Sequence, residues 1–376
     1  MIQSVHLREP MEIELPGPQE PAPPYGRAGH PYFMHDMVRS QPSAVRATVI
    51  AAERDVEAIP APPSDRTVLF VGMGTSFHAA RASAWAAGPA WSYRQPVRAI
   101  DSFDLLLEPD QLRQAGAAIV FSSSGDTALT HRAQDALRAA GVRQVLVTGT
   151  DRSPSFERAD YVLLTKEADE KAWVHTVSYT TAIAAALTLL QHWSGNGSLL
   201  PRGIDRAIEE LIEREAEWRE LADSLKDRSK FLILGSGPAE ATAREAALKL
   251  REGAARFVAS TGVEEFLHGT LPSVDSDQTA VLAIATSSLE RRRARTALDA
   301  AMRAGAKVAL FARGRPSNGT SNEFELPPVL PPLTPLVDIV PFQFLAYWLA
   351  LSARRNPDLM GLDDPRILAS RRIYGI

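Results

Sequence analysis

The chain has 376 residues, of which 45% are hydrophobic and 23% are charged, so its length and composition suit a globular protein with two domains. The 41 basic and 45 acidic residues leave a formal net charge of −4, and no basic stripe is available to bind a nucleic acid. Cysteine is absent, which excludes disulfides, thiolate nucleophiles and cysteine-ligated metal sites. The eight histidines form no cluster at metal-ligand spacing, so we expect no metal and no other cofactor.

The N-terminal region, residues 1–30, is rich in proline and predicts a flexible leader. It has no apolar run after a basic start, so we expect no secretory signal and a cytoplasmic protein. Apolar stretches occur at 182–190, which is too short for a membrane span, and at 334–351, which contains Asp338 and Pro341. Both predict buried helices, so we expect no membrane partner. An amphipathic segment at 31–58 predicts a helix interrupted at Pro42.

Short β-rich runs alternate with helical ones from residue 67 onward, which is typical of parallel sheets covered by helices on both faces. The first runs are 67–72, 96–101, 117–122, 142–149 and 161–165, followed by helical stretches at 173–193 and 204–225. The pattern then restarts, with runs at 231–237, 279–285, 307–312 and 323–327 before a final helix near 334–353. We predict an α/β fold with two doubly wound, flavodoxin-like domains in tandem, at 31–200 and 201–376.

A glycine turn joins the first predicted strand to a helix, in the sequence VGMGTSFH at 71–78. Gly72 and Gly74 let backbone amides approach a ligand at the helix N-terminus, where aligned peptide dipoles favour an anion. A dinucleotide site would need a third glycine where Phe77 stands, although Asp101 does close the second strand. The turn predicts an anion site, with a dinucleotide site and a purely structural turn as alternatives.

A second loop, FSSSGDT at 121–127, is rich in hydroxyl groups. Ser122, Ser123, Ser124 and Thr127 surround a helix start and can donate hydrogen bonds to an oxyanion that backbone amides also hold. Adjacent parallel strands end at one crevice, where both loops converge. Together the loops predict a pocket for a phosphate monoester, with an ordinary helix cap and loop residues as the alternative.

Glu245, Lys249 and Glu252 share one face of a predicted helix, at i, i+4 and i+7. Such a series is more often a solvated ladder of ion pairs than an active site, and a lone histidine such as His268 is usually structural.

In this order, the motifs resemble the SIS (sugar isomerase) domain family, in the tandem arrangement of the isomerase half of glucosamine-fructose-6-phosphate aminotransferase. GMGTSFHAA and SSSGDT are similar to its phosphosugar loops, and EAALKLREGA, EEFLHGTLPSVD and DPRILAS are similar to later blocks. The resemblance runs from about residue 31 to the end and omits the glutamine-hydrolysing domain. It therefore implies a protein like the stand-alone glucosamine-6-phosphate deaminases and fructosamine-6-phosphate deglycases.

The resemblance also implies roles for individual residues. Glu252 matches the base that moves a proton between carbons 1 and 2, with Lys249 as its neighbour. His268 matches the ring-opening group, which the partner subunit supplies in this family, so the resemblance implies a homodimer. The implied ligands of the phosphosugar are Gly74, Thr75, Ser76, Ser122, Ser123, Ser124, Thr127 and Trp173.

Two departures from the family pattern limit the expectation. Ser370, followed by Arg371 and Arg372, stands where the aminotransferase has a tail lysine that helps to open or bind the ketose, so the resemblance implies Ser370 as a further substrate ligand. The loop ATSSLE at 285–290 lacks glycine and adds a carboxylate, so we expect no second phosphate site. We expect an isomerase or deaminase of an amino-hexose phosphate such as glucosamine 6-phosphate, with a fructosamine-6-phosphate deglycase and a non-catalytic phosphosugar sensor as alternatives. Sensors normally carry a helix-turn-helix DNA reader, which the short leader does not resemble.

Overall fold

The computed structural model describes residues 26–90, 95–166, 169–195, 203–314 and 322–374. Most of the predicted leader, residues 1–25, lies outside the described residues. The last part of it contacts the folded protein: the backbone amide of Arg27 donates to Asp358 Oδ2 at 3.0 Å, and His30 Nδ1 lies 2.7 Å from the Tyr347 hydroxyl.

The first half of the chain forms a parallel five-stranded sheet with the order β2-β1-β3-β4-β5. Its strands are β1 (Thr67–Gly72), β2 (Val97–Asp101), β3 (Ala115–Phe121), β4 (Arg143–Thr148) and β5 (Tyr161–Leu164). The helices are α1 (Phe33–Asp55), α2 (Thr75–Ala90), α3 (Ser102–Leu107), α4 (Pro109–Gln114), α5 (Ala128–Ala139), α6 (Pro154–Arg158) and α7 (Val177–Ser194).

The second half forms another parallel five-stranded sheet, with the order β10-β9-β8-β6-β7. Its strands are β6 (Lys230–Leu234), β7 (Phe257–Thr261), β8 (Thr279–Ala285), β9 (Lys307–Arg313) and β10 (Glu323–Leu326). The helices are α8 (Ile204–Glu213), α9 (Glu215–Leu225), α10 (Ala239–Ala254), α11 (Val263–Glu265), α12 (Ser288–Arg303), α13 (Thr334–Asp338), α14 (Val340–Ser352) and α15 (Pro365–Tyr374). The two parallel sheets with their surrounding helices confirm the predicted α/β fold class.

The main hydrophobic core is shared by the two sheets. One continuous cluster includes Phe70 and Phe121 from the first sheet, Phe231 and Phe311 from the second, and residues of helices α1, α2, α7, α10 and α14. The outer faces of the sheets carry two smaller clusters. The two sheets therefore do not have separate main cores, because one layer of helices covers the inner face of both.

Several predicted boundaries are wrong for identifiable reasons. Helix α1 continues through Pro42, because its buried face, which includes Val38 and Val45, outweighs the lost backbone hydrogen bond. The helix predicted from 173 begins at Val177. Strand β7 escaped prediction because it is an edge strand, in which the side chain of Phe257 is 74% exposed. The predicted helix at 204–225 is divided at Arg214 into α8 and α9.

One helical segment, Pro331–Ser352, is long and apolar enough to cross a membrane. In the folded protein, 94% of its most apolar 18-residue stretch is buried, which is typical of a core helix.

Each sheet begins with the same kind of glycine turn, between β1 and α2 and between β6 and α10. A Cβ atom on Gly72 would lie 2.8 Å from the backbone of Ser76, and one on Gly235 would lie 2.5 Å from the Ala239 carbonyl. Gly74 and Gly237 have φ values of +54° and +55°. These turns bring the N-terminus of a long helix against the end of the strand that precedes it.

We expect Gly72→Ala to lower the free energy of unfolding by about 1–3 kcal/mol, because the added methyl group overpacks the start of α2. Gly29→Ala is the matched control, since a Cβ there meets no atom within 4 Å. Urea unfolding followed by circular dichroism compares the two variants. Equal stability of both would contradict the close approach at Gly72.

Candidate functional site

A narrow pocket lies at the carboxyl edge of the first sheet, where the loops after β1, β3 and β4 meet the start of α7. The hydroxyl groups lining it come from Thr75, Ser76, Ser122, Ser123, Thr148, Thr165, Ser178 and Tyr179. The Ser122 hydroxyl is buried and has no hydrogen-bond partner among the described residues. A buried hydroxyl without a partner is costly, so it is poised to bind a polar ligand. The structure thus brings both predicted loops together at one crevice.

The remaining hydroxyls of the serine-rich loop lie outside this pocket lining. Ser124 is exposed, and its Oγ accepts a hydrogen bond from the Asp126 amide at 3.3 Å. Thr127 is the N-cap residue of α5, and its side chain makes no capping hydrogen bond. The pocket volume is about 10 Å³, which is room for a single water molecule. A phosphate group is larger than this space, so it does not fit into the pocket in this structure.

The predicted acid–base residues form a buried cluster beside the pocket. The Lys249 ammonium lies 2.8 Å from Glu252 Oε2, 3.3 Å from Glu245 Oε1 and 3.0 Å from the Thr75 hydroxyl. It also donates to the carbonyl of His175 at 2.8 Å. The side chains of Lys249 and Glu245 are fully buried, and that of Glu252 is 14% exposed. The interpretation as a solvated ladder of ion pairs is therefore wrong.

The charges of this cluster hold one another in the ionised form. Burial alone would raise the pKa of Glu245, but the charge of Lys249 and the hydrogen bond from His78 outweigh it and the pKa is lowered. Burial alone would lower the pKa of Lys249, but the charges of Glu245 and Glu252 outweigh it and the pKa is raised. Lys249 is therefore a fixed cation next to the Glu252 carboxylate.

Glu170 organises the segment that links the cluster to the pocket. Its Oε2 accepts hydrogen bonds from the Thr176 amide at 2.8 Å, the Ser178 amide at 3.0 Å and the Ser178 hydroxyl at 2.9 Å. This carboxylate satisfies donors at the N-terminus of α7, which explains why the helix begins at Val177. Ser178 faces the pocket and the His175 carbonyl faces Lys249, so one short segment positions both.

Sequence reasoning did not assign roles to His78, Glu170, Glu245 or His175. His78 follows the first glycine turn by one helical turn, and Glu245 was placed only on a helix face. Their pairing depends on α2 packing against α10, which no local pattern predicts.

His268 is not brought to the cluster within this chain. It lies in the π-helical turn Phe266–Thr270, and its side chain is 79% exposed. Its Nε2 is 3.6 Å from Glu264 Oε2, and no hydrogen bond or ion pair joins it to Lys249 or Glu252 in the described part of the chain.

In the tail helix α15, Arg371 is buried against the protein, whereas the predicted ligand Ser370 is not. Ser370 is exposed, and its hydroxyl donates to the Arg366 carbonyl of the same helix at 2.8 Å. Only 5% of the surface of Arg371 is exposed, and its guanidinium lies 5.1 Å from the ring centre of Trp173. Its Nη1 atom has no hydrogen-bond partner among the described residues. The side chain of Arg372 lies outside the described residues.

The corresponding loop of the second sheet is occupied by its own carboxylate. Glu290 Oε2 accepts hydrogen bonds from the Thr286 amide at 2.6 Å, the Thr286 hydroxyl at 2.7 Å and the Ser287 amide at 3.2 Å. Ser287 in turn caps α12. The donors that could hold an anion here are already satisfied.

A doubly wound fold with a hydroxyl-lined pocket and a buried lysine–carboxylate cluster defines a small-molecule site at the carboxyl edge of a parallel sheet. Residues 64–190, which contain the first sheet, match the family model of the SIS domain. The two parallel sheets with their helices have the same α/β fold as the solved structures described below.

The chain is similar to glutamine–fructose-6-phosphate aminotransferase [isomerizing] of Thermococcus kodakarensis, with 28% identity over 356 residues. The match covers 91% of this chain and 58% of the relative, so the chain spans about three fifths of that relative's length.

Solved structures share the fold at lower identity. The C-terminal domain of glucosamine-fructose-6-phosphate aminotransferase from Francisella tularensis has a TM-score of 0.73 and 20% identity, covering 88% of this chain and 99% of that one. Glucosamine-6-phosphate deaminase from Thermotoga maritima has a TM-score of 0.67 and 21% identity, covering 87% and 96%.

We expect Lys249→Met to destabilise the protein by about 3–5 kcal/mol, because it leaves buried carboxylates without their cation. Lys230→Met is the matched control: Lys230 is 45% exposed and lies 3.6 Å from Asp275, so its loss costs less than about 1 kcal/mol. Urea unfolding at neutral pH measures both. Similar losses would show that the Lys249 cluster is not a buried ion-pair network.

Proposed function

We propose that the protein is a phosphosugar isomerase or deaminase that acts on an amino-hexose phosphate such as glucosamine 6-phosphate. The observation that carries this proposal is Thr75, which lines the hydroxyl pocket and also binds the Lys249 ammonium at 3.0 Å. A sugar whose phosphate occupies the pocket therefore extends toward the Lys249–Glu252 pair. The similarity to enzymes named for fructose 6-phosphate and glucosamine 6-phosphate supports the same substrate class.

The pocket binds the phosphate through hydroxyls and helix N-termini rather than through basic side chains. Ser76, Ser122 and Ser123 line it, and Gly74 opens the turn at the start of α2. Amide groups at a helix N-terminus and neutral hydroxyls suit a terminal phosphate monoester. Ser124 and Thr127 join this set when the 122–127 loop moves to admit the phosphate.

Glu252 is the base in this proposal. Its carboxylate takes the proton from carbon 2 of the open-chain aldose, and the electron pair of that bond forms the C1–C2 double bond of an enolamine while the oxygen on carbon 1 takes up a proton. Glu252 then delivers a proton to carbon 1, and the amine on carbon 2 loses one, which gives an imine at carbon 2. This imine is the isomerised product, and water hydrolyses it to a ketose and ammonia in the deaminase variant of the reaction. The buried charge of Lys249 stabilises the negative charge that develops on the enol oxygen.

A fructosamine-6-phosphate deglycase is the second candidate, and Arg371 is the observation that favours it. This buried guanidinium stacks on Trp173, and Trp173 precedes by two residues the His175 carbonyl that binds Lys249. A cation in this position suits an anionic group on a larger amine substituent.

We further propose a homodimer in which His268 of one subunit assists ring opening in the other. Its 79% exposed side chain on a short π-helical turn is free to enter a neighbouring site, and it does not reach Glu252 of its own chain.

We expect Glu252→Gln to abolish exchange of carbon-bound hydrogens while sugar binding is retained, because the amide cannot accept the proton. Proton NMR in deuterated water, with glucosamine 6-phosphate and separately with a fructosamine 6-phosphate, follows exchange and amine release. Glu220→Gln on the exposed face of α9 is the control. If the wild-type protein binds either sugar but catalyses no exchange, the enzyme proposal is contradicted and the protein is a phosphosugar sensor.

We expect mixed dimers of Glu252→Gln and His268→Ala chains to recover activity that neither variant has alone, because one of the two shared sites is then intact. Co-expression with two affinity tags isolates the mixed species. The absence of recovery in a confirmed mixed dimer would place ring opening within one chain.

A further inference from the structure

His78 forms a close, largely buried contact with Glu245 that the proposed reaction does not use. Its Nδ1 atom lies 2.7 Å from Glu245 Oε2, and the two side chains are 14% and 0% exposed. Because a carboxylate only accepts hydrogen bonds, Nδ1 carries the proton of this bond. The contact joins α2 of the first sheet to α10 of the second.

This contact makes His78 the first member of a series of alternating cationic or donor groups and carboxylates that leads to Glu252, the proposed base. His78 binds one oxygen of Glu245, the other oxygen of Glu245 lies 3.3 Å from Lys249, and Lys249 lies 2.8 Å from Glu252. The Lys249 ammonium is thus closer to Glu252 than to Glu245. A group that one partner holds binds its other partner less strongly. The strength of the Glu245–Lys249 contact therefore affects the Lys249–Glu252 contact.

We propose that His78 is a positioning residue that occupies Glu245 and thereby keeps Lys249 directed at Glu252. This inference rests on the proposed role of Glu252. Without the donor at Nδ1, both oxygens of Glu245 compete for the ammonium, and Lys249 moves toward Glu245. The reaction centre beside Glu252 then loses part of the positive charge that stabilises the enolate.

Other charged groups around Glu245 have their own partners in the described part of the chain. On α2, Arg81 pairs with Glu240 at 2.7 Å, and at the end of α13 the buried Asp338 pairs with Arg313. Glu170 is held by the start of α7, and Tyr179 of the same helix has its pKa raised by burial and by the charges of Glu245 and Asp338. His78 therefore acts on Glu245 without a competing cation from these elements other than Lys249.

The test compares His78→Leu with His78→Asn, whose side-chain amide can replace Nδ1 as the donor. We expect His78→Leu to lower kcat about tenfold with KM within about twofold, because binding is kept while the charge at the reaction centre is displaced. His78→Asn restores kcat to within about threefold of wild type. His192→Leu, at an exposed position near the end of α7, is the control.

A second measurement does not depend on activity. The lowered pKa of Glu245 contributes stability that is present above its unfolded value, near 4.5, and is lost as the pH falls through the folded value. We expect this acid-linked loss of thermal stability to be smaller in His78→Leu than in wild type and to be restored in His78→Asn.

Three outcomes overturn the inference. Wild-type kcat in His78→Leu would do so, as would equal impairment and a raised KM in both variants, which would indicate a role of the ring in packing alone. If wild-type protein shows no exchange, the proposed function and the positioning role of His78 both fall. The stability measurement then still decides whether His78 and Glu245 are coupled.

Discussion

The burial of one ammonium group between two carboxylates is the constraint on which the rest of this structure depends. Lys249 has no exposed surface, so its charge must be satisfied entirely by the protein. Its partners come from the first glycine turn, from the segment before α7 and from its own helix α10. These elements belong to both sheets, and the ion-pair network therefore fixes how the two halves of the chain meet.

The shared core gives that network its low-dielectric surroundings. Helices α1, α2, α7, α10 and α14 fill the space between the inner faces of the two sheets, and the site lies where α2 and α10 pack together. A charge placed there acts strongly on its neighbours, because little water screens it. The hydroxyl pocket at the strand ends and the charged cluster at the helix interface lie next to each other because the same helix packing forms both.

Local patterns predict the fold well and the site in part. The buried strands β3 and β8 can be predicted because they are continuous apolar runs, whereas the exposed edge strand β7 has no such run. The glycine turn and the serine-rich loop identify the pocket because strand ends converge by rule. The partnership of His78 with Glu245, and the burial of Arg371, arise from contacts between distant segments, and no spacing in the sequence encodes them.

The second sheet keeps the glycine turn of the first but places the Glu290 carboxylate on the donors of its 286–287 loop. That carboxylate is tethered to the protein, so a free anion competes with a group whose effective concentration is in the millimolar range or above. In the proposed function, the first sheet therefore offers donors to a free anion, whereas the 286–287 loop of the second sheet is already bound to an anionic group of its own helix.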